Sequence, residues 1–346
     1  MKRRFKTLIL FAVMIGLATA VTAQKSTKKW NQSWPASEVE TLEITNKFGE
    51  VKVLNTTGNQ VTIEVVVTAE GSENKAKALL EDISVKFGKA GSTARAETSI
   101  AQNFRTKNNF SIDYTVQIPA GKNLNINNKF GNVVIQNLTG KGVFDISYGN
   151  LTGGQIHSPG SDGAQISLAY GRADVESMHH SRLVLSYSKM FVKSAGNIRL
   201  ESKYSTLNVD QMESLWVDSK YDTFEFGNMV SLEGDSKFTN YRIGTLKKRL
   251  KLVSGYGAVR VDHIPADFEL IDVNSSYAQI SLGVEQGATY DVSAVCEFCT
   301  IDYPSSDFRG NRQRENTRQS IEGKVSGGGR GKVTVVSRYG NIKLVK

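Results

Sequence analysis

Between residues 200 and 250 the apolar positions come in pairs two apart, separated by polar breaks. After Tyr204 they fall at Leu207 and Val209, then at Met212, then at Leu215 and Val217. After Tyr221 the same text reads Phe224, Phe226, Met229 and Leu232, and after Phe238 it reads Tyr241, Ile243 and Leu246. A spacing of two is the period of a strand with one buried face. Asp210-Gln211, Gly227-Asn228 and Gly244-Thr245 fall between the pairs, and these are turn-forming residues. Each unit is therefore two short strands and two bends.

The unit is 17 residues long, counted from Tyr187 to Tyr204, Tyr221 and Phe238. Aromatics continue the series through Phe130, Tyr148 and Tyr170 on one side and Tyr256, Tyr277 and Phe298 on the other, at steps of 17 to 22 residues. The unit is too short for a propeller blade and carries no helical stripe, so one turn of a β-helix fits it. The expected fold is all-β: a single-stranded parallel β-helix, or solenoid, with coils of about 17–22 residues. Similar folds wind right-handed, and that hand is expected here. In parallel register Tyr187, Tyr204, Tyr221, Phe238 and Tyr256 form a ladder, expected to fill the core; a carbohydrate-stacking platform is the alternative.

Residues 1–23 read as a signal peptide. Lys2, Arg3, Arg4 and Lys6 precede the apolar run Leu8 to Leu17, and Val21-Thr22-Ala23 sets a cleavage site before Gln24. No other run of about 18 apolar residues occurs, so the mature chain is expected to be soluble and exported to the periplasm, outer surface or medium, without a transmembrane segment. Residues 24–40 form an arm with Trp30 and Trp34, docked on the first coil or loose. Residues 41–127 hold the first strands and a β-rich cap, with one helix at Asn74 to Ile83 where Ala76, Leu79, Leu80 and Ile83 keep helical spacing. Residues 128–346 are the solenoid, broken at about 307–331 by what reads as a long flexible loop.

Charge narrows the partners only slightly. The formal net charge is +9, and loss of the four leader cations leaves 39 basic against 34 acidic residues. There is no nucleic-acid motif, and export argues against nucleic acid. The local basic cluster is Arg309, Arg312, Arg314 and Arg318 on the 307–331 segment, a candidate contact for an anionic glycan or lipid headgroup, with a solvated loop as the plain alternative. Trp30 and Trp34 are the other candidate contacts, unless they simply seal the first coil.

Cys296 and Cys299 are the two cysteines. A local disulfide is the plain reading in an oxidising compartment; reduced thiols and a redox pair are the alternatives. No histidine has ligand spacing to them, and metal binding at His179-His180 is a minor alternative. Asp210, Asp218, Asp222 and Asp235 are the acids a carbohydrate-active β-helix would use, but they lie at different phases of the repeat. No catalytic residue, metal or cofactor is assigned.

The turns Asn46-Lys47-Phe48-Gly49-Glu50-Val51, Asn128-Lys129-Phe130-Gly131-Asn132-Val133, Tyr148-Gly149-Asn150-Leu151 and Arg338-Tyr339-Gly340-Asn341-Ile342 resemble those of the DUF4097-type "putative adhesin" family. The approach Tyr114 to Pro119 and the closing stretch from Gly331 to Lys346 are similar too. The resemblance implies an exported β-solenoid of a Bacteroidetes-like envelope and brings no catalytic residue. The expected function is non-enzymatic presentation of a surface to a glycan, an envelope component or a protein partner. The alternatives are a carbohydrate-active enzyme on the same scaffold, or a structural or signalling component of an envelope stress system.

Overall fold

The computed structural model describes residues 24–344, and the leader assigned to residues 1–23 lies outside them. Among the described residues one α-helix, Glu73–Glu81, and one short 3-10 turn, Ala36–Glu38, accompany the strands. Ala76, Leu79 and Leu80 of the helix are buried, as their spacing requires.

Each coil contributes a strand before its aromatic and another after it. Successive coils pair in parallel, one repeat apart: Lys189 lies against Thr206 and Lys203 against Lys220, and Thr206 in turn lies against Thr223. This stacking of near-identical coils is the arrangement of a β-solenoid. The pre-aromatic strands Asn123–Lys129, Gly142–Ser147, Ala164–Ala169 and Ser181–Ser186 build one wall. The post-aromatic strands Val133–Leu138, Asn150–Ile156 and Arg172–Met178 build the facing wall. Alternation puts Leu183, Leu185, Met190 and Val192 inside in one coil, and Val217, Phe224 and Phe226 inside further along.

Coil stacking leaves no room for a side chain at some corners. A Cβ on Gly149 would stand 1.9 Å from the carbonyl oxygen of Gly131, and one on Gly131 would stand 1.9 Å from that of Gly49. Only glycine fits there. Further along, the same place is taken by Ser188, Ser205, Asp222 and Thr239, all buried.

The N-terminal arm is a regular strand, Gln24–Pro35, paired antiparallel along its whole length with Gln60–Gly71. With the helix and the antiparallel hairpin Ile83–Ala90/Thr93–Ile100 it closes that end of the stack.

One expectation for the other end is corrected. Residues 307–331 are not a loose loop: Phe308–Glu315 and Arg318–Val325 form an antiparallel hairpin, and its second strand pairs with Tyr290–Glu297. The two-residue turn Asn316-Thr317, with Asn316 at φ 45°, makes this possible. The last coil in sequence is not the last in space. Gly331–Arg338 lies between Leu270–Val284 and Tyr290–Glu297, parallel to both. The chain leaves a slot one coil wide, caps the outer coil with the hairpin, and returns to fill the slot.

Candidate functional site

The aromatic ladder is real as a column but lies outside the core. Twelve aromatics, from Phe48 to Tyr339, take left-handed backbone angles, with φ between 51° and 62°. All but Phe48 are 42–50% exposed. The correction applies to Tyr187, Tyr204, Tyr221, Phe238 and Tyr256 alike: each ring sits on the rim where the two walls meet. The cause is the backbone. A left-handed residue turns the chain at the corner and breaks the in–out alternation, so the aromatic points outward and its successor points in.

Neighbouring rings stack at 4.6–5.2 Å with interplanar angles of 0–19°. That distance is the coil spacing itself, so each ring covers the faces of the next and shows its edge to solvent. Placing a non-glycine residue in the left-handed region costs about 1–2 kcal/mol, and ring stacking offsets much of it, since aromatic pairs contribute about 0.5–1.5 kcal/mol beyond burial. At one end Phe48 is covered by Phe110, whose ring lies 5.2 Å away, and Phe104 packs on Phe110. At the other end, the Phe298 N–H donates to the carbonyl of Thr317 in the hairpin turn.

Eight of the twelve are tyrosines, and among the described residues none of their hydroxyls has a hydrogen-bond partner. Lys203, Lys220 and Lys237 flank them in register on the pre-aromatic wall. There a shallow groove of about 480 Å³ is lined by Lys220, Lys237, Ser254 and Tyr256. Further out on the same wall the Arg199 guanidinium stacks 4.0 Å from the Trp216 ring. Of the two sequence readings of the ladder, core filling is overturned and an exposed position stands, while the Arg199–Trp216 pair has no repeat signal to mark it.

Behind the ladder runs a buried polar seam. Ser202, Ser219, Ser236, Ser254 and Ser275 point inward two residues before their aromatics. Asp222 is buried among them. Its carboxylate accepts hydrogen bonds from the N–H of Ser205 at 2.7 Å and of Lys220 at 3.1 Å. Burial outweighs these bonds and pushes its pKa up to about 6. Burial likewise raises the buried Tyr241 to about 12, although its hydroxyl reaches Ser219.

The other candidate residues are scattered. Trp30 and Trp34 are half-buried against the N-terminal cap; the Lys28 ammonium lies 4.9 Å over the Trp30 ring, and Trp34 meets Phe87 edge-on at 6.4 Å. The arginines are at the opposite end, on the hairpin. Arg309 donates to the carbonyls of Ser306 and Phe308. Arg312 donates to the Ser305 carbonyl and lies 5.1 Å over the Phe308 ring. Arg314 is exposed, and Arg318 lies in register between Glu297 and Glu315. Cys296 and Cys299 are joined as a disulfide at the Phe298 turn. Of the acids, Asp218 and Asp235 are in-register neighbours on the outer surface, Asp210 is exposed at the other bend, and Asp222 faces inward. Asp218 and Asp235 both line the groove beside Lys220 and Lys237, while Asp210 and Asp222 lie outside it. His157, His179 and His180 cluster at the bend opposite the ladder, but among the described residues no group of three or more ligating side chains could hold a metal. No helix among the described residues is long and apolar enough to cross a membrane.

No family model matches the chain, and no curated protein matches it. Among solved structures it is similar to a putative cell adhesion protein from Clostridium sporogenes, at 10% identity over 92% of this chain and 99% of that one, with a TM-score of 0.20. It is also similar to a putative adhesin from Bacteroides fragilis, at 14% identity over 92% and 97%, with a TM-score of 0.34. A putative lipid binding protein from Parabacteroides distasonis follows at 11% identity over 73% and 95%, with a TM-score of 0.30.

Proposed function

We propose that this chain is a non-enzymatic, exported or envelope-associated β-solenoid whose ladder rim is a binding surface for an extended ligand. A glycan is the ligand class that suits it best. The observation that carries the reading is the row of unpartnered tyrosine hydroxyls at one coil spacing, on rings held rigid by their neighbours. A regular array of donors and acceptors on a straight, preordered edge matches a repeating polymer laid along it, and its rigidity lowers the ordering cost of binding. Planar stacking of sugars on ring faces is not part of this reading, because the faces are taken by the adjacent rings. Hydrogen bonds to the edge and contact with the flanking walls are. The leader expected at residues 1–23 and the Cys296–Cys299 disulfide fit an exported chain.

The test is a glycan array probed with residues 24–346 and with the triple variant Tyr187→Phe/Tyr204→Phe/Tyr221→Phe. Phe238 and Phe130 already sit in the ladder, so phenylalanine keeps the stack and removes only the hydroxyls. Loss of captured glycans in a folded triple variant supports the reading. Equal capture by both, or none by either, rejects the hydroxyl row as the site.

A further inference from the structure

The solenoid ends in a strand whose outer edge is open. Phe308–Glu315 pairs with Arg318–Val325 on one side over eight consecutive residues, and no strand lies on its other side among the described residues. An open edge is a row of unsatisfied amides and carbonyls, and proteins usually blunt such edges with proline, bulges or charged side chains, the last of which repel a like-charged strand but not an oppositely charged one. This strand has no proline and no register shift.

The other free edges are treated differently. Gln24–Pro35 ends in a proline, and its lysines are engaged: Lys25 pairs with Glu70, Lys29 with Glu64, and Lys28 donates to the carbonyls of Leu80 and Ile83. On the edge strand Ile83–Ala90, Lys89 is paired with Glu38, and Lys86, which makes no ion pair among the described residues, lies in register opposite Glu97. On Phe308–Glu315, by contrast, Arg309, Arg312 and Arg314 have no carboxylate within ion-pair distance among the described residues, although fifteen such pairs form elsewhere, from Lys25–Glu70 to Arg338–Glu297. Alternation from buried Phe308 puts Arg312 and Arg314 on one face and Arg309 with Glu315 on the other, so the face of Arg312 and Arg314 is the cationic one.

We propose that this edge receives an acidic, extended segment of a partner protein as an added β-strand. Main-chain hydrogen bonds to the open edge supply the docking, and the uncompensated guanidiniums select acidic side chains on the incoming strand. The same charge disfavours a second copy of this chain as the occupant. Edge-to-edge pairing of two such strands would set arginine beside arginine, and like charges directly opposite are destabilising. End-to-end pairing with Ile83–Ala90 would bring in Lys86 and Lys89. The inference does not depend on the ladder, which lies on a different surface.

The geometry names a sharp variant. The two-residue turn makes Glu315 and Arg318 the hydrogen-bonded closing pair, so the N–H groups of Arg312 and Arg314 point to the open side. Arg314→Pro removes an outward donor and leaves the hairpin ladder intact. Arg314→Glu reverses the charge and keeps the donor.

The experiment measures binding of residues 24–346 to an end-blocked eight-residue peptide alternating Glu with Val and Thr. Two further probes are the same peptide N-methylated at alternate amides, and heparin. Saturable binding of the plain peptide is expected, weakened at least tenfold by Arg314→Glu and by Arg314→Pro. The N-methylated peptide should fail to bind, and the amides of residues 310, 312 and 314 should become protected from hydrogen exchange on binding of the plain peptide. Equal binding of the N-methylated peptide, or full binding to Arg314→Pro, overturns the added strand and leaves charge alone. Heparin that binds tighter and is lost with Arg314→Glu would assign the arginines to a polysaccharide instead. No binding of the plain peptide also rejects the proposal. The tyrosine-to-phenylalanine ladder variant should bind the peptide like the unaltered chain, which separates failure here from failure at the ladder.

Discussion

Tyr277 stacks on Tyr339 at 4.7 Å, and Tyr339 stacks on Phe298 at 4.8 Å, so the ladder's order in space departs from its order in sequence. The C-terminal coil is a wedge between two coils made earlier. Its Val333 and Val335 are fully buried, and Ser337 shares a hydrogen bond of 3.0 Å with Ser275. Removing residues 331–346 should therefore expose two strand edges at once, those of Leu270–Val284 and Tyr290–Glu297. The expected outcome is loss of hydrogen-exchange protection across Tyr290–Glu297 and the hairpin, with the central coils still protected, because a solenoid is stabilised mainly by contacts between neighbours. Full protection of Tyr290–Glu297 in the truncated chain would contradict the wedge.

The wedge also has a tight point. A Cβ on Gly331 would come 2.7 Å from the Phe268 ring, itself buried against Tyr290. Gly331→Ala should cost about 1–3 kcal/mol, the usual range for overpacking a filled core. Chemical denaturation checks this, and an unchanged midpoint would mean the ring moves aside freely.

At Tyr204 two opposing terms can be separated. Tyr204→Ala keeps the left-handed strain and deletes two stacks, so it should destabilise by about 1–3 kcal/mol. Tyr204→Gly deletes the stacks but relieves the strain, so it should lie closer to the unaltered chain than alanine does. Tyr204→Phe should stay within about 0.5 kcal/mol, as a substitution on an exposed edge does. If alanine proves no worse than glycine, the strain argument fails.

Much of this architecture could be read from spacing, and the main error has a physical origin. The repeat length, the pairs two apart and the two bends follow from Leu207, Val209, Leu215 and Val217. The inside–outside assignment of the aromatics did not. Counting by twos from Leu200 through Ser202 points Tyr204 inward, yet Leu207 and Val209 are odd-numbered and also inside. The phase slips by one between them, which marks a residue that does not obey strand alternation. The small residue after each aromatic, Gly149, Gly171 or Ser188, is the second sign, because that position is the one facing in. The hairpin was hidden for another reason. Its first strand, Phe308–Glu315, has a single buried residue, so it shows no apolar alternation to detect. The inserted last coil could not be seen either, since its repeat text is the same whichever slot it fills.

Asp222 supplies a test of the polar seam. Its carboxyl has a pKa of about 6 when folded, against an ordinary 3.8. The folded state therefore binds more protons than the unfolded state between about pH 4 and 6, and stability falls as pH rises through that window. Its contribution is complete below about pH 4 and gone above about pH 6, a difference of up to about 3 kcal/mol from a shift of this size. Serine fills the equivalent place in the two preceding coils, where Ser205 Oγ accepts the Ser188 N–H and donates to the Lys203 carbonyl. Asp222→Ser should then raise the denaturation midpoint at pH 8 and flatten its dependence between pH 4 and 6, with little change at pH 4. A variant that is less stable at pH 8 would show instead that the charged carboxylate, held by the Ser205 and Lys220 amides, stabilises the seam.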